Sequence, residues 1–143
     1  MLDTTNYIRQ AYLNKLDGNV IYNGKVIKVY GQVPSVTTPD KYIIIGMINE
    51  NSNNNNQQFE STADIDIDIF CEQYRNMDLS VVDAISSLVL NLIIPSTGIS
   101  DIGDANFQIY PLSRVASRYL PIENGDLYIA RKIITINNSV IQN

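Results

Sequence analysis

The sequence contains no histidine and no tryptophan, and only one cysteine, Cys71. Without histidine there is no histidine-based catalytic triad, no imidazole metal site and no imidazole pH switch. One thiol allows no intrachain disulfide and no zinc cluster. Basic residues are also few, 10 Lys and Arg against 15 Asp and Glu, giving a formal charge of −5 and a pI near 4.5. Such a chain has no general attraction for phosphate backbones, which disfavours nucleic-acid binding over a broad surface. No apolar run reaches the roughly 18–20 residues that a membrane span needs. The first ten residues, MLDTTNYIRQ, have neither the basic nor the apolar region of a signal peptide, so the expected place of work is a cytoplasm or a particle assembled there.

What is present is the composition of one folded domain over 1–143, with 45% hydrophobic and 17% charged residues. Residues 3–17 have helical spacing of Ile8, Ala11, Tyr12 and Leu16, with Asp3 or Thr4 as cap, Leu2 as staple and Gly18 as stop. Two short β-rich runs then flank Asn23-Gly24, a hairpin signal. The isoleucine run in KYIIIGMINE predicts a strand buried on both faces. It leads into an Asn/Gln tract and then an alternating segment from about Gln58 to Tyr74. Together these predict a long β-hairpin over 41–74 with a mobile, Asn-rich tip at 51–58.

The segment MDLSVVDAISSLVLNLIIPS, 77–96, is the clearest helix, with Ser80 and Asp83 patterned as a capping box and Pro95 as its stop. Val82, Ile85, Val89 and Leu92 line one face, Val81 and Leu88 widen it, and little polar surface is left, which suits a helix covered on two sides. After a Gly/Ser/Asp loop the remainder reads as strands: NFQIYPLS, RVASRYLPI and, after the turn ENGD, LYIARKIITINN. Strands in runs rather than in alternation with helices predict an α+β fold: a mainly antiparallel sheet with a long β-hairpin and two helices packed on one face.

One stretch carries candidate chemistry. In ADIDIDIF, Asp64, Asp66 and Asp68 point to one side of a strand, with neighbours roughly 6.5–7 Å apart. Two such carboxylates can share Mg²⁺, as in a nucleotidyltransferase-like site for phosphoryl transfer. That chemistry also needs a Gly-Ser phosphate loop opening a helix just upstream, and the upstream NENSNNNNQQFEST has none. The other reading is a half-buried strand with Ala63, Ile65, Ile67 and Ile69 inward and the aspartates toward water or a neighbour. Cys71 continues the apolar side and reads as a packed thiol. Gly98 and Gly103 lack the lysine and spacing of a phosphate loop. Arg114 and Arg118 are either surface charge or partners for an acidic face of another subunit. The nine tyrosines are spread along strands and the first helix, as packing residues at core edges or interfaces. No cofactor and no metal is expected on the strand reading.

Read together, IRQAYLNKLDG, VIYN, PDKYIIIG, ADIDIDIFCEQY and DLSVVDAISSLVLNLI stand in an order that resembles the tail-completion or tail-terminator proteins of tailed bacteriophages. Those are small α+β subunits of the neck between head and tail. Pro39 with Tyr42 to Gly46 matches the family's P-Y-hydrophobic-G strand, and Phe70 stands where its alternating strand ends in an aromatic. The match spans roughly residues 5–95; the Asn-rich tip and long C-terminal β region depart from the compact pattern. The resemblance implies a non-catalytic homo-oligomeric ring in the virion neck, assembled in the host cytoplasm. Its partners would be neck proteins on the portal and tail sides, and DNA would pass through the lumen without sequence-specific binding. No membrane is involved. Asp64, Asp66, Asp68, Arg114 and Arg118 are the corresponding interface candidates.

Overall fold

The computed structural model describes residues 5–35, 37–55, 58–74, 76–94, 102–103 and 107–142, with side chains at all of these except 47, 50–55, 58–60, 112–115 and 142. Helix α1 (Thr5–Leu16) buries Ile8, Tyr12 and Leu16, the stripe expected from their spacing. It closes at Gly18, whose φ of +81° suits a residue without Cβ. Its expected cap and staple, at residues 2–4, lie outside the described residues.

The short strands β1 (Ile21–Tyr22) and β2 (Lys25–Val26) form a two-residue hairpin. Asn23 and Gly24 both have positive φ, 49° and 76°, as a type I′ turn requires. Then follow β3 (Lys28–Tyr30), β4 (Lys41–Asn55), β5 (Gln58–Tyr74), helix α2 (Ser80–Ile93), β6 (Phe107–Tyr119), β7 (Ile122–Asn124) and β8 (Leu127–Gln142). The main sheet has the order β3-β4-β5-β8-β6, with β7 also on β8. All its pairings are antiparallel except β3 with β4. The fold is α+β.

β4 and β5 pair from Lys41↔Cys71 to Asn55↔Gln58. The backbone of Asn51–Asn55 is therefore strand, where a loose tip is expected from composition; residues 56 and 57 of that tip lie outside the described residues. A bulge sets Gly46 and Met47 opposite Asp66, between the pairs Ile45↔Ile67 and Ile48↔Ile65. The extra residue restores the period, so Ile43, Ile45 and Ile48 share one face. This corrects the reading of two-sided burial: Ile43 and Ile45 are buried, whereas Ile44 on the other face is half-buried.

The C-terminal region is also more continuous than its sequence suggests. Most of NFQIYPLS and RVASRYLPI, from Phe107 to Tyr119, is one strand, β6, bent by bulges between Pro111 and Ser113 and between Arg114 and Ala116. Pro111 is tolerated because β6 is an edge strand. Gly125, with φ +62°, turns the chain from β7 into β8.

The core lies between the sheet and the two helices, which contact each other and pack on the same face. Ala63, Ile65, Ile67, Ile69 and Cys71 of β5 and Ala130, Ile134, Ile136 and Val140 of β8 meet Val82, Ile85, Val89 and Ile93 of α2 there. Ile93 takes the inward place expected of Leu92, which is only partly buried. Inside this core, the Tyr12 hydroxyl donates to Asn138 Oδ1, and Asn138 Nδ2 donates to the carbonyls of Ala63 (3.2 Å) and Ile136 (3.1 Å). Both side chains are fully buried, and each satisfies the other's polar atom.

The expected capping box of α2 is not formed. The helix has no side-chain cap on its N-terminal residue Leu79; instead Asp78 Oδ1 accepts the Ser80 N–H at 2.9 Å, which holds the Asp78 carboxyl below its usual range. Asp83 has better partners elsewhere. It accepts hydrogen bonds from Tyr119 Oη at 2.6 Å and Lys132 Nζ at 2.9 Å, which fasten α2 to β6 and β8.

Candidate functional site

Period-2 alternation in β5 puts Asp64, Asp66 and Asp68 on the sheet face opposite the helices. The same alternation in β8 presents Arg131, Ile133, Thr135 and Asn137 beside them, in the register Asp64↔Asn137, Asp66↔Thr135 and Asp68↔Ile133. Each carboxylate has its own donor. Asn137 Nδ2 donates to Asp64 at 2.8 Å, and Thr135 Oγ1 donates to Asp66 at 2.7 Å. Arg131 reaches diagonally and grips Asp68 with two nitrogens, Nε at 3.0 Å from Oδ1 and Nη2 at 2.6 Å from Oδ2. This pairing raises the Arg131 guanidinium further above its ordinary value.

Arg131 also stands over the Phe70 ring, 5.1 Å from its centroid. Phe70 stacks on Tyr42 at 4.7 Å with planes 6° apart, and Tyr42 meets Tyr30 edge-on at 6.1 Å. A row of aromatic and charged side chains thus crosses four strands, from Tyr30 on β3 to Arg131 on β8. Phe70 and Ile133 on this face are buried although they point away from the helices. The family-like aromatic Phe70 is a sheet-surface residue anchored by Arg131.

This arrangement is internally paired. Three separate donors engage the three aspartates, and among the described residues no group of three or more His, Cys, Asp or Glu side chains gathers as a metal site. Cys71 is buried on the helix side, and burial pushes its thiol up to about 11, only partly countered by Lys41, so thiolate is scarce at neutral pH. Of the two candidate arginines, Arg118 is exposed on β6. Arg114 lies opposite Ile136 by its backbone, and its side chain falls outside those described.

Sequence reasoning missed Arg131, Thr135 and Asn137 as the aspartates' partners. The signal was the matching alternation in LYIARKIITINN, but nothing local says that this strand lies beside β5. Away from the aspartates, large apolar side chains are exposed at several places among the described residues. Ile21 and Val26 lie on the β1–β2 hairpin, Tyr74, Leu120 and Ile122 lie toward the β7–β8 end of the sheet, and Val33, Leu79, Ile94, Tyr110 and Tyr119 are exposed elsewhere.

No protein-family model and no curated protein sequence matches the chain. Its fold is similar to that of a chain in a solved structure described as the virion of a native gene transfer agent (GTA) particle. The similarity has a TM-score of 0.73, with 13% identity over 100% of both chains. At that identity the shared property is the fold. Among the described residues no helix is long and apolar enough to cross a membrane.

Proposed function

We propose that the protein is a structural component of a phage-like virion, a non-catalytic subunit of a homo-oligomeric ring in the neck that joins head to tail, of the tail-terminator or tail-completion kind. The observation that carries this reading is the fold similarity to a virion-particle chain over the full length of both. The order of elements and the position of Phe70 support the finer assignment. In this reading the ring forms in the host cytoplasm, meets neck proteins on its portal and tail sides, and passes DNA through its lumen without reading sequence. A net charge of −5 suits that passage, because an acidic wall repels the phosphate backbone and lets it slide. The β4–β5 hairpin, with Arg114 and Arg118 on the opposite edge strand, contributes to subunit contacts.

Light scattering on the purified protein, alone and with neck partners, tests the proposal. A discrete ring-sized oligomer or its capture into a neck complex is the expected outcome. A strict monomer that joins no virion complex overturns it. The competing reading, a metal-dependent nucleotidyltransferase-like enzyme using Asp64, Asp66 and Asp68, is disfavoured by the donors that already occupy these carboxylates. Saturable Mg²⁺ or Mn²⁺ binding by calorimetry, abolished by Asp66→Asn, is the result that restores it.

A further inference from the structure

Two surfaces at opposite edges of the sheet differ in charge and both carry exposed apolar side chains. The first is a groove of about 300 Å³ between the β1–β2 hairpin and the start of β4, lined in part by Tyr22, Lys25, Val26, Pro39, Asp40 and Lys41. Lys25 and Val26 are exposed, and two lysines outweigh the single Asp40. The second is the β7–β8 turn, where Ile122, Glu123 and Asn124 are exposed and Asp126 follows Gly125. The sheet order puts β4 and β7 on opposite sides of the β5–β8 pair. The registers Lys41↔Cys71 and Tyr74↔Leu127 put both features at the same end of the sheet.

A convex acidic turn and a concave basic groove on one chain cannot meet within that chain. They can meet between copies, and contact between two different patches is the head-to-tail kind, which closes into a ring when the rotation between copies closes. We infer that the β7–β8 turn of one subunit seats in the β1–β2/β4 groove of the next. Ile122 packs against Val26 and Tyr22, while Glu123 and Asp126 face Lys25 and Lys41. This inference rests on the ring reading above and deepens it by naming the two contacting surfaces. Apolar contact at the centre supplies affinity, and the opposite charges fix the direction around the ring.

The full-length double variant Lys25→Cys/Asp126→Cys tests it. Cys71 is 1% exposed and does not compete for oxidation. Under oxidation, denaturing gels should show a ladder of covalent multimers ending at the ring's copy number, while each single variant stays uncrosslinked. A second arm reverses charge. Lys25→Glu/Lys41→Glu should raise the subunit dissociation constant about tenfold or more, and adding Glu123→Lys/Asp126→Lys should restore assembly. If the wild type forms rings but no ladder appears and the combined reversal assembles no better than the first, this interface is wrong and the ring reading stands. If the wild type is a monomer at every concentration and with neck partners, the ring reading falls and the interface with it.

Discussion

Arg131 and Asp68, 63 residues apart, form a two-nitrogen ion pair across the β5–β8 ladder while the same guanidinium caps the Phe70 ring. The side chains are 29% and 14% exposed, so water screens the pair only in part. Arg131→Met leaves the Asp68 carboxylate without its donors and Phe70 without its cover. We expect a loss of about 2 kcal/mol in urea unfolding. The double variant Arg131→Met/Asp68→Leu removes the stranded charge as well and should recover most of that loss. A single variant as stable as the wild type would show that the pair contributes nothing in solution.

The contact between α1 and β8 depends on a buried polar pair. Tyr12 and Asn138 have no access to water, and burial raises the Tyr12 phenol above its ordinary range. Tyr12→Phe removes the hydroxyl that Asn138 Oδ1 accepts from, leaving a buried acceptor unmatched, at a cost of about 1–3 kcal/mol. Asn138→Ala strands the hydroxyl and also frees the carbonyls of Ala63 and Ile136, so it should cost more than Tyr12→Phe. Thermal unfolding followed by circular dichroism ranks the two; the reverse order is the result that contradicts this account.

What could be read along the chain and what could not divide by range. The alternation of 63–71, the stripe of Ile8, Tyr12 and Leu16, and the Asn23-Gly24 turn are local signals, and each element stands where its pattern puts it. The partner of β5 is not local. Asp64, Asp66 and Asp68 look like a metal site or a wet face until β8 arrives with Arg131, Thr135 and Asn137, more than sixty residues away. Asp83 misleads for the same reason. Its spacing from Ser80 fits a capping box, but Tyr119 and Lys132 compete for the same carboxylate and win. Both halves of β6 read as strand, but their continuity is masked by Pro111 and two bulges, which break the period although the strand continues.

The Asp83 cluster predicts an acid sensitivity. Hydrogen bonds from Tyr119 and then Lys132 lower the Asp83 carboxyl below its ordinary value. A carboxylate with a depressed folded pKa adds stability above its unfolded value, about pH 4, and that stability is lost as pH falls through the folded value. The difference in thermal midpoint between wild type and Asp83→Asn should therefore be constant from pH 7 to about pH 5 and shrink toward pH 3. Tyr119 is shifted upward, chiefly by its bond to Asp83, so its contribution is present below about pH 10 and fades above it. A wild-type minus variant difference that does not vary between pH 3 and 7 would mean Asp83 has no such partners in solution.

Cys71 offers a readout of opening. It is 1% exposed, between β4 and β8 on the helix face, and its thiol is pushed up to about 11. A thiol reagent at pH 8 should react with the native protein only through molecules that have opened, and rapidly once urea unfolds them. Labelling then tracks the open population rather than the chemistry of the thiol, provided that reclosing outpaces the reagent. Under that condition Arg131→Met, costing about 2 kcal/mol, should speed labelling roughly 30-fold, since each 1.4 kcal/mol is about tenfold. Tyr12→Phe should speed it in proportion to its own measured loss. If native labelling is as fast as unfolded labelling, or is indifferent to both variants, Cys71 is reached by a local route and this face of the sheet is not sealed by the core.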